Sequence, residues 1–254
     1  MRTDGRNSNE LRKIRITPNF LINAYGSVLI EWGKTRVICS ATVADEIPQW
    51  MKNEKKKGGW ITAEYSLLPA STETRVKRER NSISGRTQEI QRLIGRCVRG
   101  ACNLEKLEGK SIYIDCDVID ADGGTRCASI TGAMIALKIA LAKLVSEDKA
   151  PADVLTKNIA AVSVGIIKGE TLLDLCYTED SSADVDMNVI MSEDGKIIEL
   201  QGTAEGESFS RDELNNMLDS AEKGLKEIFG IQKNALTKSP AKSGRDEKHC
   251  VSTK

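Results

Sequence analysis

A chain of 254 residues with 40% hydrophobic and 29% charged residues can bury a sizeable core, as one large domain or as two similar lobes. Lys and Arg together number 37, as do Asp and Glu, so the formal net charge is +0 and any nucleic-acid binding must come from a local patch. Aromatic residues, at 4%, are too scarce for a surface that stacks many bases. The single histidine, His249, lies in the polar tail TKSPAKSGRDEKHCVSTK. That placement argues against a Ser-His-Asp triad, a His-His ribonuclease mechanism or a His-rich zinc site, and leaves acid-base or metal chemistry to carboxylates.

The seven cysteines show no CxxC spacing and mostly sit in apolar segments, as reduced, buried thiols of a cytoplasmic protein do. The N-terminus is charged and lacks the apolar run of a signal peptide, and no membrane span is expected.

In chain order, a strand is predicted near Lys13 to Pro18. Strands at Gly26 to Trp32 and Thr35 to Ala44 follow, separated by the hairpin signal Gly33-Lys34. Lys52 to Gly59 reads as a solvated, mobile loop, and Trp60 to Leu68 as a strand stopped by Pro69. From Arg75 to Arg99, eight basic residues against Glu79 and Glu89 leave a local charge of +6 in a neutral protein. Gly85 to Cys102 has helical spacing, with Ile90, Leu93, Ile94, Cys97, Val98 and Ala101 toward the core. Arg92, Arg96 and Arg99 lie on or near its other face, and Arg86 stands at its start, where a cation opposes the helix dipole unless an anion is bound beside it.

Ser111 to Ile119 alternates as a half-buried strand does. It leads through ADGGTRCAS, Ala121 to Ser129, into a run apolar on nearly every face, which marks a central buried helix over Ala128 to Val145. The Gly-Gly turn places free N–H groups, the Thr125 hydroxyl and the Arg126 guanidinium at one helix N-terminus. That arrangement suits an anion, although a tight strand-to-helix turn alone would also account for the glycines.

Beyond a strand at Ile159 to Ile167, Leu172 to Tyr177 and Val185 to Met191 read as antiparallel strands joined by the turn Ser181 to Asp184. Asp180 and Asp186 then fall on opposite limbs of one hairpin, as a divalent-ion pair or as a solvated acidic turn. Asp194-Gly195 makes a further hairpin to Ile197 to Gln201. Ser210 and Glu213 form a capping box for a last helix with an apolar stripe from Leu214 to Phe229. The class is α+β, with mixed sheets, long helices and an internal duplication of a βαβ-containing unit.

Taken together, MRTDGR, GSVLIEWG, ITAEYSLLP, SGRTQEIQRLIGR, IDCDVIDADGGTRCASITGA, EDSSADVDMNVIM and ELQGTAEGESFS resemble the ribonuclease PH family of phosphorolytic 3′ exoribonucleases, relatives of polynucleotide phosphorylase and the exosome ring subunits. The resemblance runs in order over residues 1–235, expected to form the catalytic domain, and leaves 236–254 as a disordered polar tail. It implies a phosphate site at Arg86, Gly124, Thr125 and Arg126, and a catalytic, metal-binding pair at Asp180 and Asp186. It also implies RNA contacts at Arg75 and Arg78. Pro69-Ala70 stands where many members have Pro-Arg, the segment from Arg78 to Arg86 is shortened, and Cys127 stands where Thr is usual.

The implied enzyme is a nucleotidyltransferase of tRNA and rRNA processing. Inorganic phosphate, as co-substrate, attacks the last phosphodiester of an RNA and releases a nucleoside 5′-diphosphate; reverse nucleotide addition is also implied. Mg²⁺ is the implied metal, with one carboxylate or a water on the metal as general acid. The implied partners are tRNA precursor 3′ ends and further copies of the chain in a homohexamer. The competing readings are a non-catalytic RNA-binding ring subunit and a metal-dependent hydrolytic nuclease.

Overall fold

The computed structural model describes Arg2 and residues 4–237. His249, Cys250 and the expected tail from Lys238 onward lie outside the described residues.

The first half forms β1 (Ile14–Pro18), β2 (Gly26–Trp32), β3 (Thr35–Ala44), α1 (Gln49–Asn53), β4 (Trp60–Leu67), α2 (Gly85–Gly100), β5 (Ser111–Asp120) and α3 (Thr125–Ser146). The second forms β6 (Ile159–Ile167), β7 (Glu170–Leu173), α4 (Tyr177–Asp180), β8 (Val185–Ser192), β9 (Ile197–Ala204) and α5 (Arg211–Thr237). The first sheet has the order β1-β2-β3-β5-β4, antiparallel except for β4 and β5, and the second, wholly antiparallel, has the order β7-β6-β8-β9. Each half is a run of strands closed by a long helix, as expected. In the first half a βαβ unit, β4-α2-β5, joins two adjacent parallel strands; in the second, β7-α4-β8 joins two parallel strands that flank β6, through a helix of one turn.

The alternation read in β5 holds: Ile112, Ile114, Cys116 and Val118 are buried while Tyr113 and Asp117 face outward. α3 packs on β2, β3 and β5 of the first sheet and on β6 of the second, which is why it is apolar all round. By length and composition it is a candidate bilayer span, yet 72% of its most apolar window is buried inside the protein. Close approach is made possible by missing side chains. A Cβ on Gly26 of β2 would lie 2.1 Å from the Ala136 carbonyl oxygen, and one on Gly132 would lie 2.6 Å from Cys39 Sγ.

Several local expectations are corrected. Lys52 belongs to α1, and the loop after it is anchored: Gly58 and Gly59 are buried against the backbone of residues 104–110. α3 begins at Thr125, three residues before Ala128, and α5 continues to Thr237, two residues past 235. Leu172 to Tyr177 is not a strand paired with β8. β7 stops at Leu173, Asp174 adopts φ +56°, and Tyr177–Asp180 forms the one-turn helix α4, whose start is capped by the Cys176 N–H donating to Glu179 Oε2 at 3.0 Å. β8 pairs instead with β6 and β9. An aspartate in a strand-like stretch of leucines is poorly suited to a pleated sheet and tolerates the left-handed region that ends one.

Candidate active site

The β5–α3 turn builds the anion seat. Gly123 and Gly124 have φ +74° and +66°, the left-handed region that glycine enters without a Cβ penalty. Helix α3 starts at the next residue, so the first-turn N–H groups of Thr125, Arg126 and Cys127 precede the helical ladder, whose first bond runs from Ala128 N–H to Gly124 O. The turn is clamped by Thr35, whose hydroxyl donates to Gly123 O at 2.8 Å and accepts from Asp122 N–H at 2.9 Å.

Three residues not assigned from sequence complete the seat. Tyr65, buried on β4, shares a 2.9 Å hydrogen bond with the Thr125 hydroxyl, and its pKa is raised by burial against the hydrogen bond from Thr125 and the charges of Arg86 and Arg126. Glu89, one turn after Arg86 on α2, accepts from Arg126 Nη2 at 2.9 Å and from Gln201 Nε2 of β9 at 3.0 Å. Burial opposes its charge, but the hydrogen bonds from Arg126 and Gln201 and the charges of Arg126 and Arg86 hold its carboxyl below the usual range. Arg126 Nε is buried with no hydrogen-bond partner among the described residues. Helical spacing could have flagged Glu89, since it lies three residues from Arg86; Tyr65 and Gln201 carried no such signal.

The acidic pair is assembled by a route different from the expected hairpin. Asp180 ends α4 and Asp186 is the second residue of β8. Asp180 has its pKa raised by burial of its carboxyl and next by the like charge of Asp186, while Arg86, Arg126 and Arg12 pull it down. Asp186 and the two seat arginines therefore all act on Asp180. Asp186 and Arg126 line one open groove of about 400 Å³, together with Glu89, Asn188, Gln201 and Thr203. Asn188 Oδ1 accepts from the buried Cys127 thiol at 3.1 Å, so the cysteine keeps a hydrogen-bonding role at its position.

Arg75 and Arg78 are not brought to the groove. Both are exposed between β4 and α2, and the Arg78 charge acts on Asp117, on the outward face of β5. Arg96 pairs with Glu199, and Arg99 donates to the Ile61 carbonyl at 2.8 Å and lies over the Trp60 ring, so these two fasten α2 to its neighbours.

Residues 10–142 match the 3′ exoribonuclease family, domain 1, and residues 157–224 match domain 2 of the same family. The chain belongs to the 3′ exoribonuclease family. Ribonuclease PH of Dehalococcoides mccartyi strain BAV1 is 53% identical over 234 residues, which is 91% of this chain and 96% of that one. Ribonuclease PH of Bacillus cereus strain G9842 is 52% identical over 239 residues, 93% of this chain and 97% of the other. The fold is likewise that of rice (Oryza sativa) Rrp46, with a TM-score of 0.75 at 19% identity over 92% of this chain and 100% of that one. The Archaeoglobus fulgidus exosome with RNA bound to the active site gives 0.74 at 24% identity, over 90% of this chain and 91% of that one. In this 3′ exoribonuclease, domain 1 supplies Arg86 and the Gly124 to Arg126 turn, and domain 2 supplies Asp180 and Asp186. The groove lies where the two domains meet.

Proposed function

We infer that this chain is a phosphorolytic 3′ exoribonuclease that processes tRNA, and that its chemistry takes place in the groove shared by Arg126 and Asp186. That juxtaposition of an anion seat with a carboxylate, in one groove at the junction of the two family domains, is the observation that carries the reading. Inorganic phosphate sits on the α3 N-terminus, with Arg126 and Arg86 as its cationic partners. One of its oxygens bonds to the phosphorus of the terminal nucleotide as the bond from phosphorus to the 3′ oxygen of the preceding nucleotide breaks. The products are a nucleoside 5′-diphosphate and an RNA shorter by one residue, and the reverse reaction adds a nucleotide. Phosphate is already a nucleophile, so the protein contributes orientation and stabilisation of charge, and no histidine is needed. The departing 3′ oxygen needs a proton. Asp180, whose carboxyl is pushed up by burial and next by the charge of Asp186, can supply it.

Asp180 and Asp186 also suit Mg²⁺: they are two hard oxygen donors whose mutual repulsion a divalent cation would relieve. No group of three or more His, Cys, Asp or Glu residues able to hold a metal occurs among the described residues, and Asp180 and Asp186 are the residues that would hold the ion. When bound, Mg²⁺ supplies positive charge beside the reacting phosphates. Cys39, Cys97, Cys102, Cys116 and Cys127 are free thiols, which suits the reducing cytoplasm. Assembly into a homohexamer would gather the arginines of several copies around the RNA.

Incubating the protein with 3′-extended tRNA and Mg²⁺, with and without inorganic phosphate, tests the reading. Nucleoside diphosphates that appear only with phosphate are expected. Monophosphates formed without phosphate would instead assign a hydrolytic nuclease, and RNA binding without product would assign a non-catalytic ring subunit.

A further inference from the structure

Asp174 belongs to neither the seat nor the acidic pair, yet it is 1% exposed and densely bonded. Its Oδ2 accepts from Arg12 N–H at 2.7 Å, Arg12 Nε at 3.0 Å and Trp32 Nε1 at 2.8 Å, and its Oδ1 accepts from Arg12 Nη2 at 2.7 Å. Its backbone is held at φ +56°, in the left-handed region that ends β7. A buried ion pair is a poor way to gain stability, since well-packed apolar residues often serve as well. What this pair touches is the β5–α3 turn on one side and the segment leading into α4 on the other.

On the seat side, Arg12 Nη1 donates to Asp122 O at 2.6 Å and reaches Gly123 O at 3.5 Å, and Nη2 lies 2.8 Å from where a Cβ on Gly124 would stand. The guanidinium therefore lies directly beneath the phosphate turn. On the acid side, the chain leaving Asp174 runs straight into α4. A Cβ on Gly123 would stand 2.7 Å from both Cys176 C and Tyr177 N, so the turn and the start of α4 touch backbone to backbone. The N-terminal arm secures the same segment. Arg2 holds Glu179, the neighbour of Asp180, at 2.8 and 2.7 Å, and donates to the carbonyls of Leu173 at 2.8 Å and Asp174 at 2.9 Å.

We propose that Asp174 and Arg12 are positioning residues for phosphorolysis, joining the phosphate turn Asp122–Gly124 to the segment that carries Asp180 so that phosphate and carboxylate keep one relative placement. This rests on the phosphorolytic reading. A purely structural pair would affect unfolding and leave the kinetics of the folded enzyme alone; a positioning pair also weakens phosphate binding and slows the chemical step.

The test uses the full chain carrying Asp174→Asn or Arg12→Lys, and the double variant Arg12→Met with Asp174→Asn. The double variant removes both buried charges together, and it decides the matter should a single variant fail to fold. For each folded variant, kcat and KM for inorganic phosphate are measured on 3′-extended tRNA well below its unfolding temperature, with Kd for the same RNA measured without phosphate. The expected result is KM for phosphate raised at least tenfold and kcat lowered, with Kd for RNA within twofold of the parent and the smallest change in Arg12→Lys. Kinetic constants within twofold of the parent, with only a lower Tm, would overturn the proposal while the parent still released diphosphates. A parent that released monophosphates without phosphate would remove the phosphorolytic reading and this proposal with it.

Discussion

Asp180 illustrates how a carboxylate of the candidate site is held at a cost to the fold. Because the folded protein raises its pKa above 3.8, its ionised form is disfavoured relative to the unfolded chain, and stability is lost as pH rises through the folded value. Below 3.8 the carboxyl is protonated in both states and the penalty is absent. Asp180→Asn is therefore expected to melt at a higher temperature than the parent at about pH 7, with the advantage shrinking as pH falls toward 3.8, while turnover is lost. Thermal unfolding across that range checks the sign. Asp186→Asn removes the like charge beside Asp180 and should move the Asp180 titration downward, as read by carboxyl NMR. The same variant should keep RNA binding and lose most turnover; near-normal turnover would remove Asp186 from the chemistry.

At the scale of elements, the β5–α3 turn does what neither element does alone. It gives the helix N-terminus its free donors and brings it against α4. Ala at either glycine must adopt a left-handed backbone, at about 1–2 kcal/mol, but the two sites differ in what a Cβ meets. At Gly124 the nearest atom is the end of the Arg12 side chain, and at Gly123 it is the backbone of Cys176 and Tyr177. Gly123→Ala is thus expected to lose more stability in urea unfolding than Gly124→Ala, since a backbone cannot swing away. Both should raise KM for phosphate. At the far end of the chain, the Ser210 hydroxyl accepts from Glu213 N–H at 3.2 Å and Glu213 Oε2 accepts from Ser210 N–H at 2.6 Å, the reciprocal cap read from the sequence. Ser210→Ala should cost about 1 kcal/mol without changing the kinetics.

For the whole molecule, neutrality is the governing fact. With a net charge of +0, RNA attraction has to arise from the arginine-rich stretch between β4 and α2 and from the groove. Arg75 and Arg78 lie outside the groove, so replacing both with Ala should weaken RNA binding uniformly across sequences. The slope of log K against log salt should become shallower by about 0.7 for each RNA phosphate that an arginine no longer neutralises, and KM for phosphate should stay unchanged. An unaltered slope would show that these two arginines do not touch RNA. With phosphate bound at the folded seat as proposed, phosphate alone should raise the melting temperature: at a hundredfold excess over Kd the gain is about 2.7 kcal/mol.

The amino-acid order by itself determined the strands, the long helices and the residue types of the seat. Those signals are local: alternation in β5, an all-apolar run in α3, paired glycines where φ must be positive, and a Ser and Glu at capping distance. The placement of Arg86 at a helix start and of Gly124, Thr125 and Arg126 at a glycine turn was legible for the same reason, since helix starts and glycine turns are marked in the chain; their reading as a phosphate site came from the family resemblance. Only the tertiary structure decided how Asp180 and Asp186 are placed, because β8 pairs with β6 and β9 instead of with the stretch before α4, and Asp174, where that stretch breaks, is held by Arg12 and Trp32, far away in the chain. It likewise decided that Glu89, Tyr65 and Gln201 stand around the seat and that Arg78 does not. The chemistry of a side chain can be read from its type, but what it faces is fixed by packing between segments that the sequence keeps apart.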